Sequence, residues 1–257
     1  SVKVKDNSNN LIIEAEKIFY FKVDEKFIAE ENVKMLDLNK EVNITSDKIL
    51  YEKNKKIIFS KGPTEAYIKS EYKFLSKDII FLKNEKRLIS SSQSIITSKD
   101  FSLLELSTFD YQIDDEYLKG TNITYEENSN LPDGENDKYF FKSGFFDLKN
   151  KEFTTGSTKI LLKKKIFDRS ENDPRLYGAS SSHKNGITTI NKAVFTSCKI
   201  RENCTPWKLE ASEIKHNKNT KQLIYENSVL KVYNFPVFYF PKFFHPDPTV
   251  KRQSGFL

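Results

Sequence analysis

An all-β protein of stacked antiparallel strands is the fold class this sequence predicts, and three observations carry the prediction. A short phrase recurs, as Ala15-Glu16-Lys17-Ile18-Phe19-Tyr20-Phe21, Ser46-Asp47-Lys48-Ile49-Leu50-Tyr51-Glu52 and Ser76-Lys77-Asp78-Ile79-Ile80-Phe81-Leu82. Shorter copies follow at Ser107-Thr108-Phe109-Asp110-Tyr111, Ser143-Gly144-Phe145-Phe146-Asp147 and Ala211-Ser212-Glu213-Ile214-Lys215-His216. Ile18, Ile49, Ile79 and Phe109 are spaced 31, 30 and 30 residues apart, and a drifting period near thirty, built from alternating strands, marks a stacked sheet architecture. The apolar residues are of the strand-forming kind, with 21 Phe and 12 Tyr against one Met and one Trp, whereas long helices would draw on Ala, Leu and Met.

Taken in order, Leu11, Ile13 and Ala15 alternate with polar neighbours, and Ile18, Tyr20, Phe27, Ala29, Val33 and Met35 continue the pattern. Residues 42–59 and 66–82 repeat it around turns at Lys53-Asn54-Lys55 and Lys83-Asn84-Glu85, linkers of hairpin length. This rhythm of strands and corners suits a jellyroll or a β-helix-like stack. The regularity loosens at 126–138 and 167–175, which read as loops projecting from one edge; the first stretches the spacing to 36 residues between Phe109 and Phe145. Residues 229–244 are aromatic, and Pro236, Pro241 and Pro246 exclude both a helix and a long central strand. That tail is an extended strap, which either caps the sheet or fixes the domain against a neighbour or a lipid interface.

Composition narrows the function. The formal charge is +6, but Lys and Arg are interspersed with Asp and Glu along nearly every strand except at Lys163-Lys164-Lys165, which argues against a nucleic-acid groove. His183, His216 and His245 share no metal-ligand spacing with one another or with the cysteines. The serines at 90–92 and 180–182 lack a nucleophile frame and read as turn or edge positions. No catalytic residue, metal ligand or cofactor motif is expected. Cys198 and Cys204 are too far apart for a CxxC redox pair; a local disulfide between them would contribute about 2 kcal/mol, and two free thiols are the other reading. Trp207 is expected to pack beside that loop.

A sheet stack must hide one face, and the repeated inward candidates are bulky. Ile18, Ile49, Ile79, Phe81, Phe109, Tyr111, Phe145 and Ile214 would line either an ordinary sealed core or, in a slightly open jellyroll, an apolar groove. Such a groove suits acyl chains, whose transfer from water is worth about 0.8 kcal/mol per CH₂.

The later segments carry a family likeness. Phe195-Thr196-Ser197-Cys198, Pro206-Trp207-Lys208-Leu209-Glu210-Ala211-Ser212-Glu213-Ile214, Asn227-Ser228-Val229-Leu230 and Phe235-Pro236-Val237-Phe238-Tyr239-Phe240-Pro241 resemble the periplasmic part of the LptD family of lipopolysaccharide-assembly proteins. Lys251-Arg252-Gln253-Ser254-Gly255-Phe256-Leu257 looks like that family's junction to a transmembrane barrel. The repeats over 11–162 resemble the weaker OstA-like pattern shared with LptA and LptC.

The resemblance implies an OstA-like β-jellyroll with a slightly open, V-shaped section, over residues 1–244, and a junction at 245–257. It implies non-enzymatic lipopolysaccharide transport at the periplasmic face of a Gram-negative outer membrane. An LptA-like bridge protein would add its edge strand near 11–36, an LptE-like lipoprotein would act at the barrel, and Phe235, Pro236, Phe238, Tyr239 and Pro241 would form a membrane-side strap. In the family, cysteines also bond to barrel cysteines, so Cys198 and Cys204 could pair with each other or beyond this segment. A structural module that scaffolds envelope partners without carrying lipid is the alternative.

Overall fold

The computed structural model describes residues 1–38, 42–99, 102–127, 136–162, 172–200, 205–247 and 250. The expectations placed on Lys163-Lys164-Lys165, on Cys204, on residues 251–257 and on parts of the stretches 126–138 and 167–175 lie outside them. The described residues form strands joined by turns, with no helix, and the ladders are antiparallel. The chain divides into two compact units, Ser1–Asn122 and Ile123–Leu257.

In the first unit, β1 (Val2–Asp6), β2 (Leu11–Ala15), β3 (Lys17–Phe21), β4 (Lys26–Asp37), β5 (Val42–Glu52) and β6 (Ile57–Ile68) are followed by shorter strands. These are β7 (Tyr72–Ser76), β8 (Ile80–Leu82), β9 (Arg87–Ser90), β10 (Ser94–Ser98), β11 (Leu103–Leu106) and β12 (Thr108–Gln112), and β13 (Tyr117–Glu126) carries the unit boundary. Two sheets share the long strands β4, β5 and β6. One sheet runs β1–β2–β4–β5–β6–β7–β10–β11, using residues 33–37, 42–46 and 64–68 of the shared strands. The other runs β3–β4–β5–β6–β8–β9–β12–β13, using residues 26–30, 48–52 and 57–61. Each long strand therefore crosses from one sheet to the other at a corner, which is how a jellyroll closes one side of its core.

The corners have a local cause. Asn32 in β4, Gly62 in β6 and Asn122 in β13 have positive φ, a conformation Asn and Gly adopt at little cost. Pairing is interrupted there, between Glu30 and Val33 and between Ser46 and Lys48. The neighbouring strand supplies the partner: the Asn32 amide donates to Glu16 at 2.7 Å and that of Asn122 to the Ser107 hydroxyl at 3.2 Å. Under the corner lies a chain of buried hydroxyls that fit its acute angle, with Ser46–Thr64 at 3.0 Å, Thr64–Ser60 at 2.9 Å and Ser76–Ser90 at 2.8 Å. The serines at 90–92, read from the sequence as turn or edge residues, thus include a buried member of this chain.

The second unit repeats the scheme with long strands alone. After β13 come β14 (Lys138–Asp147), β15 (Glu152–Leu161), β16 (Arg175–Lys184), β17 (Ile187–Thr196), β18 (Trp207–Asn217), β19 (Gln222–Val232) and β20 (Phe235–Pro246), from β14 onward each paired to the next. Ser157, Lys192 and Asn227 hold the positive-φ corners, 35 residues apart where the first unit steps by 30. Ser181, also read as an edge residue, is buried and accepts or shares hydrogen bonds with Thr155 at 2.7 Å and Thr158 at 2.8 Å.

Candidate functional site

Between the two sheets of the first unit, Ile49, Ile79, Phe81, Phe109 and Tyr111 all lie on the inner face of the β3–β13 sheet, essentially without solvent contact. The facing sheet presents Phe74, whose ring centroid stands 5.4 Å from Phe109 and 5.0 Å from Tyr111. Ile18 is half-buried on the edge strand β3. Ile214 is fully buried in the second unit. Phe145 does not share this inward placement: it is 47% exposed and its neighbour Phe146 is 3% exposed. The reason is alternation, since a strand points successive side chains to opposite faces and the phrase is shifted by one residue in this copy. Phe146 joins an aromatic cluster with Phe141 and Phe153 at centroid distances of 6.1 and 5.5 Å.

The inner-face side chains of the first unit pack against one another with almost no solvent contact. A hollow of about 10 Å³, lined by Val4, Asp6, Leu11, Ile13, Phe27 and Tyr51, is room for roughly one water. A larger hollow of about 440 Å³ runs along the corner past Asn32, Asp47, Pro63, Thr64 and Ser76; it is open and mixed in polarity, so it does not suit an acyl chain.

Opposite the corner, the two sheets of the first unit meet at their strand ends, and polar contacts bridge them there. The Tyr51 hydroxyl donates to Asp6 at 3.2 Å, Lys83 is ion-paired with Asp37, and Lys69 and Tyr72 both reach Glu116, at 3.4 and 3.2 Å. Lys83 and Asp37 are buried. Burial works against ionisation of Asp6, yet hydrogen bonds from Ser8, Asn9 and Tyr51 hold its carboxyl below the usual range. Burial, then the charge of Glu116, pushes the Tyr111 phenol up, and its hydroxyl has no hydrogen-bond partner among the described residues. In the second unit Lys218 clasps Glu127 at 2.8 Å and lies 5.8 Å from the Tyr139 ring centre. Burial opposes the Lys218 charge, but Tyr139, Asp137 and Glu127 outweigh it and raise its pKa.

The histidines are the feature the sequence reading missed. Register places Phe153, His183, Thr188, His216, Leu223 and His245 on one rung across β15 to β20. His183 Nδ1 meets the Thr188 hydroxyl at 2.8 Å, and His216 Nε2 pairs with Asp247. His245 Nε2 accepts from the Tyr225 hydroxyl at 2.7 Å, while its Nδ1–H donates to the Pro246 carbonyl at 2.6 Å. Burial lowers the pKa of His183 and of His245. The signal was a shared phase: each histidine stands four residues after the corner residue of its strand, Ala179, Ser212 or Pro241. Among the described residues, no group of three or more His, Cys, Asp or Glu could hold a metal ion.

Cys198 is a half-buried free thiol, its Sγ 3.7 Å from the Trp207 carbonyl, and the Trp207 ring packs on Phe195 at 5.9 Å. The strap residues Phe235, Pro236, Phe238, Tyr239 and Pro241 are all exposed. They lie on β20, which among the described residues pairs only with β19.

Comparison with known proteins follows the same lines. No protein-family model matches the chain. It is 35% identical over 74 residues to the LPS-assembly protein LptD of Pseudomonas aeruginosa (strain UCBPP-PA14), covering 29% of this chain and 8% of that protein. It is 29% identical over 140 residues to LptD of Pseudomonas putida (strain W619), covering 54% of this chain and 13% of that protein. Over these stretches the chain is similar in sequence to LptD. The matched stretches are thus a small part of the relatives' own length. Among solved structures, LptH of Pseudomonas aeruginosa, an LptA-homologous periplasmic component of the lipopolysaccharide transport device, overlaps 46% of this chain and 86% of its own. The TM-score is 0.40 and the identity 13%.

Proposed function

We propose that this domain is a non-enzymatic carrier in lipopolysaccharide transport that holds acyl chains between the two sheets of its jellyroll. The observation that supports it is the continuous apolar inner face of Ile49, Ile79, Phe81, Phe109 and Tyr111 in a chain with LptD-like sequence. Inner-face side chains packed as tightly as these admit an acyl chain only if the sheets part. The corner side is held by continuous backbone, whereas the opposite side is held by a few polar clasps, so parting occurs at the clasps. Each CH₂ then moved out of water contributes about 0.8 kcal/mol, which offsets the broken contacts over a long chain. On this reading Ile18 stands at the mouth, and Ile214 and Phe146 belong to the apolar interior of the second unit.

The same reading gives the chain its surroundings. An LptA-like bridge protein pairs with the free edges of β1 and β3, the strap faces the outer membrane, residues 245–257 lead to a barrel served by an LptE-like lipoprotein, and Cys198 pairs with Cys204 or with a barrel cysteine. The test of lipid entry is a reversible lock. Cysteines replace Lys69 and Glu116 in a Cys198→Ser, Cys204→Ser background, and a cleavable bismaleimide bridges them. Bridged protein should lose photo-crosslinking to lipopolysaccharide and regain it on cleavage; unchanged crosslinking in the bridged form would refute entry at the clasps.

A further inference from the structure

The free edge of β20 has an unusual composition. A 12-residue edge strand with Phe235 at 75% exposure and Val237, Phe238 and Tyr239 also exposed is the kind of surface that recruits a further strand. Its backbone is not suited to that. The Asp247 amide donates to the Lys221 carbonyl on the β19 side, so by alternation the nitrogen of Pro246 faces the open edge. At the other end, Tyr233 and Asn234 both have positive φ and form the two-residue turn between Val232 and Phe235, the geometry of a tight hairpin. Phe235 therefore faces β19 and the nitrogen of Pro236 faces outward. Pro241 occupies the corner between them. None of the three has a hydrogen to donate.

The edge of β3 differs. The Lys53 amide donates to the Glu25 carbonyl, which turns the amides of residues 26 and 28 toward β3 and leaves those of Ile18 and Tyr20 at the open edge. Phe19, Tyr20 and Phe21 are exposed there, and no proline interrupts the strand.

We propose that β20 is a built-in stop for strand addition: it withholds donors at Pro236, Pro241 and Pro246, so a second copy of this chain cannot add its β3 edge to β20. Two unlike free edges would otherwise make a heterologous interface, and such an interface generates open filaments. The proposal rests on the reading that β1 and β3 form the strand-accepting edge, and it does not depend on lipid.

Sedimentation velocity on the chain in lipid-free buffer tests it. Wild type should remain monomeric over the concentration series. The Pro236→Thr, Pro241→Thr, Pro246→Thr variant, with donors restored in a strand-favouring residue, should associate progressively with concentration. Adding Tyr20→Pro, which removes a donor at the open edge of β3 and none within its ladder, should return it to monomer. Should the triple variant melt at lower temperature than wild type, Pro236→Thr and Pro246→Thr singly carry the comparison. Proline variants that keep the wild-type melting temperature and stay monomeric overturn the proposal, as does wild-type association photo-crosslinked from position 239 to β3 of another copy. Association that survives Tyr20→Pro overturns the head-to-tail pairing.

Discussion

Phe145 and Phe146 show how much a single residue of phase matters. Both are phenylalanines in one strand, and only the second reaches the aromatic cluster with Phe141 and Phe153. Phe146→Ala should therefore cost about 3–5 kcal/mol, whereas Phe145→Ala should cost under about 1 kcal/mol, as read from urea denaturation of the two variants. Equal losses would place the ring of Phe145 inside. The other anchors of the repeated phrase were legible because Ile49, Ile79, Phe81, Phe109 and Tyr111 keep strict alternation from a corner. Phe145 was not, because the corner of its strand falls at Lys142, which puts Phe145 three residues past the corner where Ile49 stands two past Asp47. Gly62 makes the complementary point about backbone. Its φ is +88° and a Cβ would come within 2.9 Å of the Asp47 carboxylate, so a side chain at this corner would be strained and would displace that carboxylate.

The corner is the unit that the repeat encodes. A serine at or near the start of the phrase sits in or beside the bend and meets an Asn on the next strand, as Ser107 meets Asn122 and Ser212 meets Asn227 at 3.3 Å. The step of 30 residues in the first unit and 35 in the second explains why the period drifts after Phe109. What spacing could not reveal was the clasped side, because its partners lie 44 to 47 residues apart in sequence with no common phase. Lys83→Met should cost about 3 kcal/mol by leaving the Asp37 carboxylate buried without its ammonium. Adding Asp37→Leu should recover most of that loss, and a double variant as unstable as the single would exclude the ion pair as the cause.

The histidine rung gives the second unit a dependence on pH. His183 and His245 have pKa values lowered by burial from the ordinary 6.5, so the folded state resists protons that the unfolded chain takes up. Their contribution is complete above about pH 6.5 and declines as the pH falls below it. Urea midpoints should drop between pH 7.5 and pH 5.5, a range that spares the carboxylates, and His183→Phe with His245→Phe should flatten the slope. A wild-type midpoint that does not change over this range would contradict the buried, neutral assignment.

At the scale of the molecule, composition and period were enough for the all-β class, the antiparallel stacking and the extended tail. They were not enough for two sheets that share bent strands, because a bend inside a continuous alternating run leaves the pattern of apolar residues almost unchanged. The proposal of a carrier rather than a scaffold rests on the apolar inner face, closed by backbone on one side and by polar clasps on the other. Replacing Phe81 or Phe109 by Asp would not separate the two, since a carboxylate at a fully buried position unfolds the sheet stack whatever its role.

The decisive measurement leaves the core apolar. Azidophenylalanine is placed one position at a time at the inward residues Phe81, Phe109 and Tyr111 and at the outward residues Tyr67 and Tyr117, and the chain is irradiated with lipopolysaccharide. Adducts at the inward positions and none at the outward ones are the predicted result. Adducts absent from all three inward positions, or equal on the two faces, would contradict lipid carriage between the sheets.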